Sequence, residues 1–444
     1  MAFSGRTLAW AAVVATTTGL AVPATAAPST AGDDVAADNR VLGAAAAVLG
    51  RFRVEASMNT LYDSNMIRLG NGFPLGNYPQ KSDFRFSPIV TLSTAVPVGR
   101  QQLFVSGTIG RDMYVHNTQL NRNRYAAAGG LNWRLGTRCS GLVDTNFESR
   151  QQLLSELSVV QPNKQDTFTY GASANCQTAT GIGFGGSVRR VQVRNDSPDR
   201  VAFDANSWVF SPQLTYGSPN LGQFSLTGSW NKADYPEREI LTTAGVFDND
   251  GVEIISGRFG YERSLGSRLQ VKAGISYIEV DPQPRDIVVL VPTPLPPPVF
   301  DVQTREKSSN LGFDAAVSYK SGSRLSGTVS ASRRATASVN VGAQYQLVQA
   351  IGLDVDYRMN RAISLGTGIT YDQRDYRNSF ISQQEPLLRV QDKITRVYGS
   401  INYAPVELYS VGFELSYQDR KSDPVEYSYD AFAAMLRLRV NFGR

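Results

Sequence analysis

Two cysteines and one histidine are all that the 444 residues offer to redox, metal or imidazole chemistry. That scarcity removes whole classes of function. His116 stands beside no matching serine motif, and Cys139 and Cys176 have neither metal nor redox spacing, so a hydrolytic triad and a His/Cys metal cage both lack parts. No glycine-rich loop is placed to cradle a phosphate, because Gly183, Gly185 and Gly186 fall inside a strand-like stretch, where glycine relieves curvature. No catalytic residue, metal or cofactor is called for. An excess of one charge is missing too: 44 Lys and Arg are interspersed with 39 Asp and Glu, which is not the footprint of a nucleic-acid partner. After the opening residues, no stretch approaches the roughly 18 consecutive apolar residues that a membrane helix requires.

The one apolar run lies at the start. Arg6 precedes an apolar core from Leu8 to Val22, and Ala24-Thr25-Ala26 follows, the pattern of a secretory signal cut between Ala26 and Ala27. Residues 1–26 are therefore expected to be a signal peptide, with the mature chain released into an oxidising compartment. Residues 27–50 run from small and polar to Ala-rich without period-two alternation and read as a flexible periplasmic arm. A barrel domain is expected over 51–444.

What the sequence has in abundance is alternation. In Ala431 to Arg444, Phe432, Ala434, Leu436, Leu438, Val440 and Phe442 share one side of an extended strand, and Ala433, Met435, Arg437, Arg439 and Asn441 share the other. One side suits hydrocarbon and the other water. A soluble sandwich would need a second sheet to bury such a strand, whereas a transmembrane barrel supplies both surroundings with a single layer. The 39 Gly, 20 Tyr and 20 Phe with a mean hydropathy of -0.23 fit strands around a wet interior.

From Arg51 onward one grammar repeats: strand, long polar loop, strand, tight turn. Tight turns are expected near Val98-Gly99-Arg100, Gly136-Thr137, Thr178 to Gly181, Ser218-Pro219-Asn220, Leu265-Gly266-Ser267, Ser321-Gly322-Ser323, Met359-Asn360-Arg361 and Ala404 to Leu408. These turns predict an all-β, antiparallel up-and-down transmembrane barrel of about 18 strands with both termini periplasmic. Thr336 to Val348 reads as loop.

Aromatic residues sort by strand direction. Trp133, Tyr216, Tyr261, Tyr319, Tyr357, Tyr403 and Phe442 lie on the apolar parity just before a tight turn or the chain end, as a periplasmic girdle would. Tyr62, Phe147, Trp230, Tyr277, Tyr371 and Tyr417 form a matching upper set. The opposite parity holds Asp144, Glu148, Arg150, Arg268, Lys272, Asp354, Asp356, Arg358, Asp372, Arg374, Glu414, Arg437 and Arg439. In hydrocarbon each would cost about 2 to 4 kcal/mol near the midplane, so these side chains are expected to line a lumen, most of them paired across neighbouring strands.

Cys139 opens the fifth predicted strand and Cys176 closes the sixth, both on the apolar parity. The hairpin brings them to one rim, where a disulfide forms if the register sets them opposite and fails if it sets them diagonal. The loop from Asp281 to Lys307 carries seven prolines, expected to forbid regular pairing, so that it either projects or folds back over the mouth. Loops 67–83 and 377–392 are candidates for the same task.

The runs RLSGTVSASRRATA, IGLDVDYRMNRAISLGTGITYDQRDY and SINYAPVELYSVGFELSYQDR resemble outer-membrane barrel proteins found with bacterial exopolysaccharide biosynthesis and export clusters. The likeness extends from about Arg51 to the end and rests on barrel grammar, not on invariant catalytic residues. It implies an outer-membrane location in a Gram-negative bacterium and a polysaccharide cargo. The implied partners are outer-membrane lipid, a periplasmic polysaccharide-export protein and an inner-membrane copolymerase. The alternative is a general diffusion porin for small polar or anionic solutes.

Overall fold

A computed structural model describes residues 52–70, 74–76, 78–151, 162–291, 299–338, 343–378 and 390–442. The expected signal peptide and arm, residues 1–50, lie outside the described residues.

The first half of the chain gives β1 (Phe52–Asp63), β2 (Asp83–Val98), β3 (Gln101–Tyr114), β4 (Arg122–Leu135), β5 (Cys139–Gln151), β6 (Lys164–Gln177), β7 (Ile182–Asn195), β8 (Ala205–Ser218) and β9 (Gly222–Leu241). The second half gives β10 (Phe247–Leu265), β11 (Leu269–Gln283), β12 (Asp286–Val291), β13 (Val299–Thr304), β14 (Ser308–Ser321), β15 (Leu325–Ala337), β16 (Tyr345–Arg358), β17 (Ile363–Arg377), β18 (Gln391–Val406), β19 (Tyr409–Asp423) and β20 (Tyr429–Phe442). Eighteen of these form one antiparallel sheet, and β12 with β13 forms a separate two-stranded sheet. Each wall strand pairs with its neighbours in chain order, β11 passing to β14, and β1 pairs with β20 from Val54↔Phe442 to Asp63↔Ala433. That last ladder seals the cylinder and leaves the wall no edge. Among the described residues no helix is long and apolar enough to cross a membrane.

The eight expected tight turns all occur at one rim, together with the start of β1 and the end of β20. Gly136, Gly266 and Gly322 have φ of 62°, 66° and 60° there, the left-handed conformation that lets a strand reverse within a few residues. The long connections gather at the other rim.

The outer wall is apolar and open to its surroundings: Ile109, Leu214, Leu226, Ile275 and Val329 are each more than half exposed. Such a surface suits lipid on a transmembrane barrel. Both aromatic sets face outward with it. Tyr216, Tyr319, Tyr357, Tyr403 and Phe442 are exposed beside the tight turns, and Trp133 and Tyr261 share their parity. Tyr62 packs on Phe84 at a ring separation of 5.0 Å and Phe147 on Phe168 at 4.8 Å in the upper set.

Two loop expectations are corrected. Tyr345 to Val348 is strand, not loop, because it pairs on both sides, Tyr345 with Ala337 and with Arg377. Thr336 and Ala337 likewise belong to β15, so the strand count is unchanged. The proline-rich stretch pairs regularly as well: Asp286 to Val291 meets Val299 to Thr304, both segments free of proline. Five of the seven prolines fall in 292–298, outside the described residues. The hairpin rests on the barrel through a bridge from Ile287 to Thr242.

Cys139 and Cys176 are directly opposed in the β5–β6 register, Cα to Cα 4.0 Å, and are joined by a disulfide. The denatured, unreduced protein is expected to take up no maleimide and the reduced protein two equivalents, by mass spectrometry; labelling before reduction would mean that the bridge does not form.

Candidate functional site

The inward face of the strands is polar, and its longest side chains lie along the wall. Arg258 of β10 reaches across β11 to Asp314 of β14, Nε to Oδ1 and Nη2 to Oδ2 each at 2.6 Å. It can do so because Gly274, aligned with Asp314 on the intervening strand, has no side chain: a Cβ there would meet the guanidinium at 2.5 to 2.7 Å. The same device recurs between β18 and β16. The Tyr398 hydroxyl donates to Asp354 at 2.8 Å over Gly368, which is in register with both residues. Asp144 leans over Gly171 in the same way, and Arg189 is next in that row. Each row sets a carboxylate, a glycine and a long donor on successive strands. In the Arg258 and Tyr398 rows charge and dipole are satisfied flat against the wall instead of standing in the bore.

Other sequence-selected residues pair locally. Glu148 meets Arg150 at 3.2 Å, Lys272 meets Glu262 at 3.2 Å, and Arg439 meets Glu55 of β1 at 3.1 Å across the closing ladder. Asp356, Arg358, Glu414 and Arg437 are on the inward parity, Arg358 next to the turn. Arg268 is placed differently. It sits exposed in the turn between β10 and β11, where its carbonyl accepts from the Lys320 amide, because the strand begins one residue later. Glu55, Glu262, Arg258 and Asp314 were not picked out from sequence; the first two are found only once cross-strand partners are known, and the last two need the glycine between them.

The upper mouth is narrowed by the chain itself. Met66, Ile67, Leu69 and Tyr78, from the connection between β1 and β2, pack on inward-facing Leu61, Tyr114, Ala433 and Met435 and on Leu120. Ile67 and Leu120 are fully buried. A polar clasp holds the fold of this loop: Asp63 takes Arg68 at 2.6 Å and the Asn65 amide at 2.8 Å, while Asn65 Oδ1 accepts from the Leu69 amide at 3.0 Å. Gly70 lies so close to the β19–β20 connection that a Cβ would collide with the Glu426 carbonyl and come within 3.0 Å of Tyr427 Cα. Burial pushes the Tyr78 phenol up to about 12, against the pull of Arg200 and Arg122, so it stays neutral. Of the three loops expected as lids, the described residues of 67–83 pack into the barrel, and 379–389 lie outside the described residues.

On the opposite side the wall doubles. Tyr345 and Leu347, with Ala335 and Ala337, pack on Ala233, Val252, Ile254, Ile278 and Val280, which point inward from β9, β10 and β11. Tyr235 donates to the Ser338 carbonyl at 2.7 Å and Gln344 to the Gly251 carbonyl at 2.7 Å, so the ends of β15 and β16 lie inside those strands. His116 stands just past β3, 3.2 Å from Asp83, whose carboxylate also takes the His116 and Asn117 amides. Its role there is to hold two loops together. Among the described residues no group of three or more His, Cys, Asp or Glu converges to hold a metal ion.

A family model described as "Putative beta-barrel porin 2" matches residues 301–442. No curated protein matches the chain. Among solved structures, the chain is similar to the siderophore receptor PirA from Pseudomonas aeruginosa (11% identity, 88% of this chain and 80% of that chain, TM-score 0.44). It is also similar to OccK2 (OpdF) from Pseudomonas aeruginosa (10% identity, 88% and 98%, TM-score 0.46) and to a BenF-like porin from Pseudomonas fluorescens Pf-5 (11% identity, 88% and 99%, TM-score 0.45).

Gly70→Leu is expected to dislodge the inward loop while leaving the wall intact. Trypsin cleavage after Arg68 in the folded protein should rise at least about fivefold, since cleavage follows the population of the opened loop. An unchanged rate would mean that the loop is not held by that contact.

Proposed function

We propose that this outer-membrane, porin-like β-barrel is a channel, and that its cargo is an exported polysaccharide. The observation that carries the channel reading is the opposition of the two faces: an apolar outer wall, and an inner wall whose charges are paired along it and leave the bore polar. Ser, Thr, Asn and Gln supply most of the inward positions of β6, β8 and β9, including Thr167, Thr169, Ser173, Gln213, Thr227 and Ser229. Short hydroxyls and amides exchange hydrogen bonds with carbohydrate without fixing it in place. A periplasmic export protein and an inner-membrane copolymerase are the partners that such a cargo requires.

Passage of small polar solutes is the second reading, and the folded-in loop favours it. A molecule of a few carbons needs only the space beside Met66 to Tyr78, whereas a polymer needs the loop to withdraw.

Deletion of the gene in its own host separates the two. Extracellular polymer is expected to fall at least about tenfold if the barrel is its exit, and to be restored by the intact gene; unchanged polymer release removes the polysaccharide reading. In planar bilayers the purified protein is expected to conduct, and Arg437→Glu with Arg439→Glu to shift selectivity toward cations by tens of millivolts at a tenfold salt gradient, roughly the scale set by reversing fixed charge in a confined low-dielectric bore. An unmoved reversal potential would place those side chains away from the ion path.

A further inference from the structure

The rows that flatten charge against the wall leave one tier of the lumen out of balance. Arg334 on β15, Arg374 on β17 and Arg396 on β18 all lie on the inward parity, and all three act electrostatically on Asp372 of β17. Register brings them together: Arg334 and Arg374 both pair with Val348, and Arg396 pairs with Thr370, two residues below Asp372. The adjacent carboxylate, Asp392, does not correct the imbalance. It is already engaged by the Tyr376 hydroxyl at 2.7 Å, the Ser422 hydroxyl at 2.6 Å and Arg420. Arg68 of the inward loop also faces Arg396 but is held by Asp63. Arg374 lies directly across from Asp392 in the β17–β18 register, which leaves Arg334 and Arg396 beside Asp372.

This tier is built differently from the rest of the wall. Between β10 and β14 an arginine crosses a glycine to a carboxylate; here Val348 and Ile394 occupy the positions beside Arg334 and Asp372 in place of glycine. Among the described residues Arg334 Nε is buried without a hydrogen-bond partner, and Arg396 donates to the neutral Gln418 at 3.2 Å. Arg334, Asp372 and Arg396 nevertheless keep part of their surface open. A buried guanidinium donor left unmatched costs free energy that a bound anion would recover.

We propose that Arg334 and Arg396, flanking Asp372, form a binding site for the carboxylate of an acidic sugar. The deduction rests on the lumen being the path of a saccharide, and names its chemical class. Planar guanidiniums bind a carboxylate edge-on with paired hydrogen bonds, and Arg334 and Arg396 outnumber Asp372 by one charge, which suits a singly charged carboxylate better than a phosphate dianion. The site lies at the level of the inward loop, so a uronic-acid unit held there would sit beside Arg68.

The test is calorimetric binding of D-glucuronate, D-glucose and inorganic phosphate to the full protein in detergent micelles, alongside bilayer conductance. Glucuronate is expected to bind and glucose not. Arg334→Gln and Arg396→Gln are each expected to weaken binding about tenfold, the size of one lost charge-assisted hydrogen bond. Asp372→Asn is expected to tighten it about threefold, a gain that misfolding cannot produce. Lys421→Gln removes the same charge from an exposed outward position of β19 and should change nothing. Absent glucuronate binding, equal binding of glucose, tighter binding of phosphate, or insensitivity to all three lumen substitutions would each overturn the site. A barrel that binds glucuronate but passes no current keeps the site and loses the channel; one that conducts without binding does the reverse.

Discussion

The ladder between β1 and β20 is the contact on which everything else depends. In a sheet whose outer face is hydrocarbon-like, an unpaired edge would leave a row of N–H and C=O groups in lipid, each costing several kcal/mol. Closing Val54 to Asp63 onto Ala433 to Phe442 removes that row. Closure also fixes parity around the ring, because a slip of one residue at the seam would turn Arg437 and Arg439 out into lipid and Leu436 and Leu438 into water. The ion pair from Arg439 to Glu55 spans this seam.

Parity is also why so much of the fold was legible. A residue's side of the wall follows from counting in twos from a tight turn, and turns announce themselves by glycine, asparagine and serine, so the strand number and both aromatic sets could be read without knowing any partner. Arg268 shows the limit, since β11 begins at Leu269 and a count in twos extends one residue past the strand into the turn. What could not be read was anything that depends on two strands at once. Arg258 and Asp314 are 56 residues apart, and only the register puts Gly274 between them. Tyr345 to Val348 reads as loop because the run QAIGLDVDYRMN by itself matches the next turn, and is strand because neighbours on both sides hold it extended. Prolines misled for a related reason: crowded into 292–298, they leave 286–291 and 299–304 free to pair.

The glycine rows give the lumen a particular character. A charge standing in the bore would hold water and counter-ions around it and obstruct a passing molecule. Laid across a glycine and paired, the same charge becomes part of the wall. The price of this arrangement is register specificity, since moving Gly274 or Gly368 by one strand position would put a side chain through Arg258 or Tyr398. Where the pattern is broken, Arg334 and Arg396 stand beside Asp372 with no glycine between strands to cross, so the proposed anion site and the glycine rows fall to different tiers of one surface.

Motion is confined by the same logic. Above the upper aromatic set the strands are locked by buried ion clusters: Arg238 and Arg305 both hold Asp250, at 3.1 and 2.7 Å, and Arg420 holds Asp392. Removing one member of such a cluster would strand a buried charge at a cost of about 3 to 5 kcal/mol, so the wall has no cheap way to widen. The inward loop is differently held. Its apolar residues rest on inward side chains of β1, β3 and β20 and on Leu120, and Arg68 pairs with Asp63 at the upper end of β1, which ties the root of the loop to the wall. A change in the width of the mouth therefore falls to the loop, its apolar residues leaving Leu61 and Met435 while Asp63 stays in the wall. That division places the loop's Arg68 within electrostatic reach of Arg396, so the part free to move lies beside the proposed anion site.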